Sequence, residues 1–364
     1  MNSKERVLAA ISGHEPDRVP IDVWYTPEMR SKMAEHLRIE EKDLPDDELS
    51  PDPLQLYLEN DLLITTVGPA ASYYLSEQDY YEDEWGIGWR KVDYGKGSYT
   101  EPHHHPLADL EDPEEITIPD FSEDSRYEEA RHFVNNYGDS HAIVGEISCT
   151  IFELSWYLRG FSQVLGDFHR NRDFLHAYFN KLKEWARTAG GKLVEAGVDI
   201  IFMGDDVGSQ DQMLISPETF REFLKPIYAE LFDTFRAINP DVKIAFHTDG
   251  NVMPVVGDYI EIGVDILNPV QPQSLSPEEL KSKFGDRLTI WGSIDNQDTI
   301  PFGSPADVEE EVISRLKNVA PGGRLILGPS HSVQPDAPVE NMMTFYETAK
   351  KHGNYPISIE QKSD

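Results

Sequence analysis

Cysteine is nearly missing from this sequence: Cys149 is the only one in 364 residues. A lone thiol excludes an internal disulfide framework and any CxxC metal site, and it fits a cytoplasmic protein. Basic residues are also scarce, 32 Lys+Arg against 66 Asp+Glu, giving a formal net charge of -34. Such a surface repels phosphate backbones and anionic lipid, so nucleic acid is not an expected partner. Nowhere do about 18 apolar residues run together, and the charged stretch 1–18 lacks the apolar core of a signal peptide. Membrane spanning and secretion are therefore not expected. No Gly-x-Gly-x-x-Gly or Walker-type loop occurs, which argues against a dinucleotide or a nucleoside triphosphate.

What remains is an ordinary globular composition, 39% apolar and 27% charged. A chain of this length can be one large core. Asn60–Thr66, Ala142–Glu146, Val198–Met203, Val242–Phe246, Val264–Leu267, Leu288–Trp291 and Arg324–Leu327 are short, nearly continuous apolar runs, the pattern of parallel strands buried on both faces. Asp17–Trp24 makes an eighth candidate. Ser216-Pro217, Ser276-Pro277 and Ser304-Pro305 are helix starts, with a capping serine before a proline. The hexapeptides Glu195–Ile200 and Glu261–Ile266 differ at one position, each placing a helix-ending glycine before a strand. Strand and helix alternate, so the expected fold is α/β: a single (β/α)8 TIM barrel over residues 1–364. Ser3 is expected to cap an N-terminal covering helix that Gly13 ends. From Gly68 to about Ser140 the rhythm is lost, and Trp85, Trp89, six tyrosines from Tyr73 to Tyr99 and His103-His104-His105 lie among acids. This reads as a long insertion after the second strand, with hairpins carrying aromatic faces.

In such barrels the chemistry lies at the C-terminal ends of the strands. Those ends carry Glu146, Asp205-Asp206, His247 with Asp249, Asn268, Asp295 and His331. Carboxylate and imidazole groups can move protons or bind metal. His247-Thr-Asp249 can ligate zinc from a turn, with Glu146, His331 or water completing an open site. Without metal, His331 or a carboxylate can pass protons while the others fix the substrate. Spacing alone leaves both readings open.

Further motifs carry a resemblance. They are Glu5–Ala10 with Glu15–Pro20, Trp156–Gly160, Gly204–Gly208 with Ser216-Pro217, His247–Asn251, Ile262–Val270 and Pro329–Asp336. Together they resemble the uroporphyrinogen decarboxylase superfamily, which includes zinc-dependent methyltransferases that use methylcobamide (corrinoid) proteins. The resemblance covers most of the chain and implies a (β/α)8 barrel with its cleft at the C-terminal face.

The resemblance also separates two branches. True decarboxylases hold the porphyrinogen carboxylates with an Arg-Gln-Ala-Gly-Arg type motif after the first strand; here Trp24–Arg30 stands there. Arg30 with Arg159 is a poor counter to eight carboxylates. Positions similar to decarboxylase site residues are Asp61, Tyr157 and His331. The methyltransferase branch places zinc on His-x-Cys, and here Asp249 replaces that cysteine, which leaves oxygen and imidazole ligands. The resemblance therefore implies a methyltransferase-like enzyme with catalytic His247, Asp249, His331, Asp61 and Tyr157. Its substrate-binding residues would be Glu146, Arg159, Asp205, Asp206, Asn268 and Asp295. Zinc would sit on His247, Asp249, Glu146 and His331, and methyl would pass from a small methylated substrate to methylcobamide on a corrinoid partner. Two other readings are a decarboxylase of a smaller acid, with Asp61 or His331 as proton donor, and a non-catalytic ligand-binding barrel. Family members are often homodimers.

Overall fold

The computed structural model describes residues 1–39, 49–76 and 78–359. The apolar runs form strands with most or all of their residues buried, where branched aliphatic side chains pack well. In chain order the strands are β1 (Leu62–Thr66), β2 (Tyr80–Glu82), β3 (Gly88–Asp93), β4 (Ser98–His104), β5 (Ala142–Ser148), β6 (Ile200–Gly204), β7 (Lys243–His247), β8 (Ile266–Val270), β9 (Thr289–Ile294) and β10 (Leu325–Pro329). Seven are parallel, in the sheet order β1-β5-β6-β7-β8-β9-β10, while β2-β3-β4 form a separate sheet. Helices stand between successive parallel strands. This is an α/β fold of the (β/α)8 barrel class.

The described residues divide into two compact units, one of Met1–Leu63, His132–Ile143 and Asp265–Asp364, the other of Ile64–Arg131 and Val144–Val264. In the first unit, the eighth expected strand is an extended segment without a regular ladder. Pro20 has no N–H to give, so the segment pairs through isolated bridges, Ile21 with Leu327 and Tyr25 with Val333. It still bonds on two sides: Asp22 N–H donates to Leu327 O (3.0 Å), and Asp61 N–H donates to Ile21 O (2.9 Å). The helix Ser3–Ile11 begins one residue earlier than expected. Asn2, not Ser3, is its cap, because Asn2 Oδ1 accepts the Glu5 N–H while Glu5 Oε2 accepts the Asn2 N–H.

In the second unit, β2, β3 and β4 are antiparallel. One aromatic group is buried: Trp85 packs on Phe121 and Trp185, and Trp89 packs edge-on against Tyr73 and Tyr157. Asp83 shapes the loop before β3 by accepting the N–H groups of Trp85 and Ile87 and the Trp89 indole N–H. Tyr80, Tyr94 and Tyr99 remain exposed. His103 packs edge-on against Tyr80, and His105 bonds the Tyr157 carbonyl, so two of the three histidines have packing or hydrogen-bonding partners. The two matching αβ corners turn at Gly197 (φ 100) and Gly263 (φ 102), a backbone region that costs glycine no Cβ clash.

Candidate functional site

The second unit brings together the C-terminal ends of β5, β6 and β7. Their parallel register sets Ser148 beside Gly204 and Gly204 beside His247. A Cβ on Gly204 would lie 2.6 Å from the His247 Cβ, so only glycine lets the histidine stand at this height. Beyond the strands, the loop after β6 and the turn after β7 meet backbone to backbone. Cβ atoms on Gly208 and Gly250 would each come to 2.5 Å from a backbone oxygen of the other segment. Asn251 N–H donates to Ser209 O (2.8 Å), Asp205 N–H to His247 O (3.1 Å) and Val207 N–H to Thr248 Oγ1 (3.2 Å). The glycines of the Gly204–Gly208 and His247–Asn251 motifs are thus what allows one rigid, close-packed platform.

On that platform His247 Nε2 stands 3.9 Å from Asp249 Oδ1 and 3.8 Å from Asp206 Oδ1. Asp206 Oδ1 also accepts the Asp249 N–H at 2.8 Å, which ties the turn to β6. The three side chains are partly exposed, 12% for His247, 32% for Asp206 and 28% for Asp249, so a small ligand can reach them. Asp249 Oδ1 is a buried atom that accepts no hydrogen bond from the described residues. A buried carboxylate oxygen without a donor is costly unless a cation completes it.

Behind the platform lies a group that strand-end reasoning missed. Glu153 is in the first turn of the helix Phe152–Arg159 and is 7% exposed. Its Oε1 accepts from Tyr157 OH at 3.0 Å, and its Oε2 accepts the Asp206 N–H at 3.2 Å. Burial, then the charges of Asp206 and Asp205, push its carboxyl well above the ordinary range. Tyr157 OH lies 2.5 Å from Tyr73 OH, which lies 3.1 Å from Cys149 Sγ. Burial raises all three of these groups. The only sequence signal for Glu153 was its place four residues before Tyr157, on the same helix face.

Asp205 does something other than bind substrate. Fully buried, it accepts the Ile151 and Glu153 N–H groups and Tyr228 OH (2.6 Å), acting as a cap for the helix that follows β5. Burial raises its carboxyl to about 6, while these donors pull the other way. Arg159 is also structural: its guanidinium is held by Asp167 (2.8 Å) and by the Leu107 and Leu110 carbonyls, over the Phe174 ring. Glu146 Oε2 accepts from Thr66 Oγ1 at 2.6 Å. It pairs with Phe202, which pairs with Ala245, so it sits two residues below the level of His247.

The remaining sequence-derived residues belong to the first unit. Asp61 precedes β1, at the entry rather than the exit of its strand. Its carboxylate is fully buried and takes Arg6 (2.6 Å), Arg18 (2.7 Å) and the Ile21 N–H (2.8 Å). Here Asp61, expected as a proton donor, is closed in by two guanidinium groups. Arg30 likewise is bound to Asp52, the cap of the helix Pro53–Tyr57. Asp295 accepts from the Gln297 and Asp298 N–H groups and from Gln273, shaping the turn after β9. Asn268 is buried within β8. His331 follows β10, exposed, with its Nδ1 accepting the Ser332 N–H at 2.7 Å.

An α/β barrel-class chain with imidazole and carboxylates gathered at successive strand ends is the kind of frame on which many enzymes are built. The pattern of the family described as Uroporphyrinogen decarboxylase (URO-D) matches residues 85–352, and the chain belongs to that family. Among its relatives is the methylcobamide:CoM methyltransferase MtaA of Methanosarcina barkeri, 31% identical over 159 residues, 44% of this chain and 43% of the relative. Another is the uroporphyrinogen decarboxylase of Microcystis aeruginosa, 24% identical over 193 residues, 53% of this chain and 52% of the relative. The chain thus spans about half the length of the curated relatives it matches. Among solved structures, a methyltransferase from Methanosarcina mazei shares the fold, with a TM-score of 0.70 at 20% identity, covering 96% of this chain and 99% of that one.

Proposed function

We propose that this protein is a methyltransferase-like enzyme that activates a small methylated substrate for transfer of its methyl group to a corrinoid protein. The reading is supported by the relationship to MtaA and carried by one observation, the buried and unsatisfied Asp249 Oδ1 beside His247 Nε2. An imidazole and a carboxylate on one turn, His247 and Asp249, suit zinc. Bound there, zinc supplies Lewis acidity toward the heteroatom that carries the methyl group. The chain's own part is to fix the donors. Asp206 holds the 247–249 turn through the Asp249 N–H, and the glycine contacts keep the two segments in register. Oxygen ligands in place of thiolate favour activation of a hard atom, so the substrate class is O- or N-methylated rather than a thiol.

The test mixes zinc-loaded protein with cob(I)alamin and a panel of O- and N-methylated small molecules. Formation of methylcobalamin, read from its visible spectrum and lost in H247A, is expected. Carbon dioxide release from small carboxylic acids without any methylcobalamin would overturn the reading in favour of the decarboxylase.

A further inference from the structure

We propose that Glu153 is a neutral carboxylic acid at neutral pH and the positioning residue for Asp206, and through Asp206 for the 247–249 turn. The inference rests on the reading of His247 and Asp249 as the donor pair.

Three carboxyl groups meet here: Asp205, Asp206 and Glu153. They differ in their donors. Asp205 accepts two backbone N–H groups and a tyrosine hydroxyl, enough to hold a negative charge out of water. Asp206 is 32% exposed and accepts the Asp249 N–H. Glu153 is only 7% exposed, and among the described residues no cation is paired with it. The groups that face it are Tyr157 from its own helix, Asp205 and Asp206 from the end of β6, and Tyr73 and Cys149 beyond Tyr157. All of them disfavour another anion or are themselves weak acids kept neutral by burial. A third charge in this space is the costly one, and the proton stays on Glu153, which lacks the backbone donors of Asp205 and the exposure of Asp206.

Neutrality has a structural consequence. A carboxylic acid offers both a donor and an acceptor, so Glu153 can take the Asp206 N–H on one oxygen and keep a shared hydrogen bond with Tyr157 on the other. Tyr157 passes that chain on to Tyr73 and then to Cys149. Ionised, Glu153 would repel Asp205 and Asp206, the second of which it holds by the backbone N–H, and the loop after β6 would shift away from the turn after β7. A glutamine has the same shape and the same donor and acceptor without the ionisation, so it should replace Glu153 closely.

Isotope-edited infrared spectroscopy of protein grown with carboxyl-13C glutamate tests the proton directly. The expected result is a protonated-acid C=O band at pH 7 that disappears in E153Q. Zinc titration tests the positioning role: E153Q should bind within about threefold of wild type, and E153A about tenfold or more weakly, the range typical of groups that orient metal ligands. Wild type and E153Q should diverge only at alkaline pH, where wild-type Glu153 ionises. If E153A does not fold, that pH comparison decides. Absence of the acid band at pH 7, or an E153Q as weak as E153A, would overturn the proposal. Wild-type protein that binds no zinc at all would sink the zinc reading, and the infrared band would still decide the proton.

Discussion

Asp22 shows how one buried acid can govern stability without joining the site. Burial pushes its carboxyl from 3.8 up to about 7, with the indoles of Trp24 and Trp291 pulling the other way. The folded state therefore holds a proton that the unfolded chain releases near pH 4. Stability from this group is fully present below pH 4, falls as pH rises and is lost above about 7. Spread over that interval, the loss is on the order of 4 kcal/mol. D22N should flatten the slope and unfold at a higher urea concentration than wild type at pH 8, with little difference at pH 4. Equal denaturation midpoints at pH 8 would contradict this. Asp61 makes the opposite case, since its partners are charged: D61A leaves the part-buried Arg18 without its anion and Arg6 with Asp17 alone, and should cost about 3 kcal/mol, read as a lower Tm.

At the scale of elements, the site depends on how closely the loop after β6 and the turn after β7 approach. Gly250 has φ +80, and a Cβ there would meet Ser209 O at 2.5 Å. G250A should destabilise the fold by more than about 1 kcal/mol and weaken zinc binding along with it, because the turn that carries Asp249 must move. Calorimetry and metal titration on the same variant check both. The strands themselves were legible in the sequence because burial on both faces leaves a continuous apolar run, as in Val198–Met203 and Arg324–Leu327. The segment 17–24 is apolar enough to predict a regular strand. The pairing it lacks depends on Pro20 and on partners more than 300 residues away. The capping serines before proline were equally plain, whereas Asn2 displaced Ser3 because a cap is decided by which side chain reaches the third N–H.

For the whole molecule, the sequence located the ends of β5, β6 and β7 but not the division of labour among their acids. A carboxylate after a strand looks the same whether it meets water, a helix start or an arginine. Asp205 and Arg159 hold backbone, and Asp61 two guanidinium groups, because their hydrogen-bond partners come from segments distant in sequence. Glu153 was hidden for the converse reason, since it stands on a helix where charged residues are ordinary. The proposed site rests on His247 Nε2 and Asp249 Oδ1, which stand 3.9 Å apart. The most direct test is the zinc content of the purified protein after loading and exhaustive dialysis, compared with H247A and D249A. The account predicts about one tightly held zinc per chain, lost in both variants while their folding is unchanged. Wild-type protein that retains no zinc, or an H247A that retains as much as wild type, would contradict it.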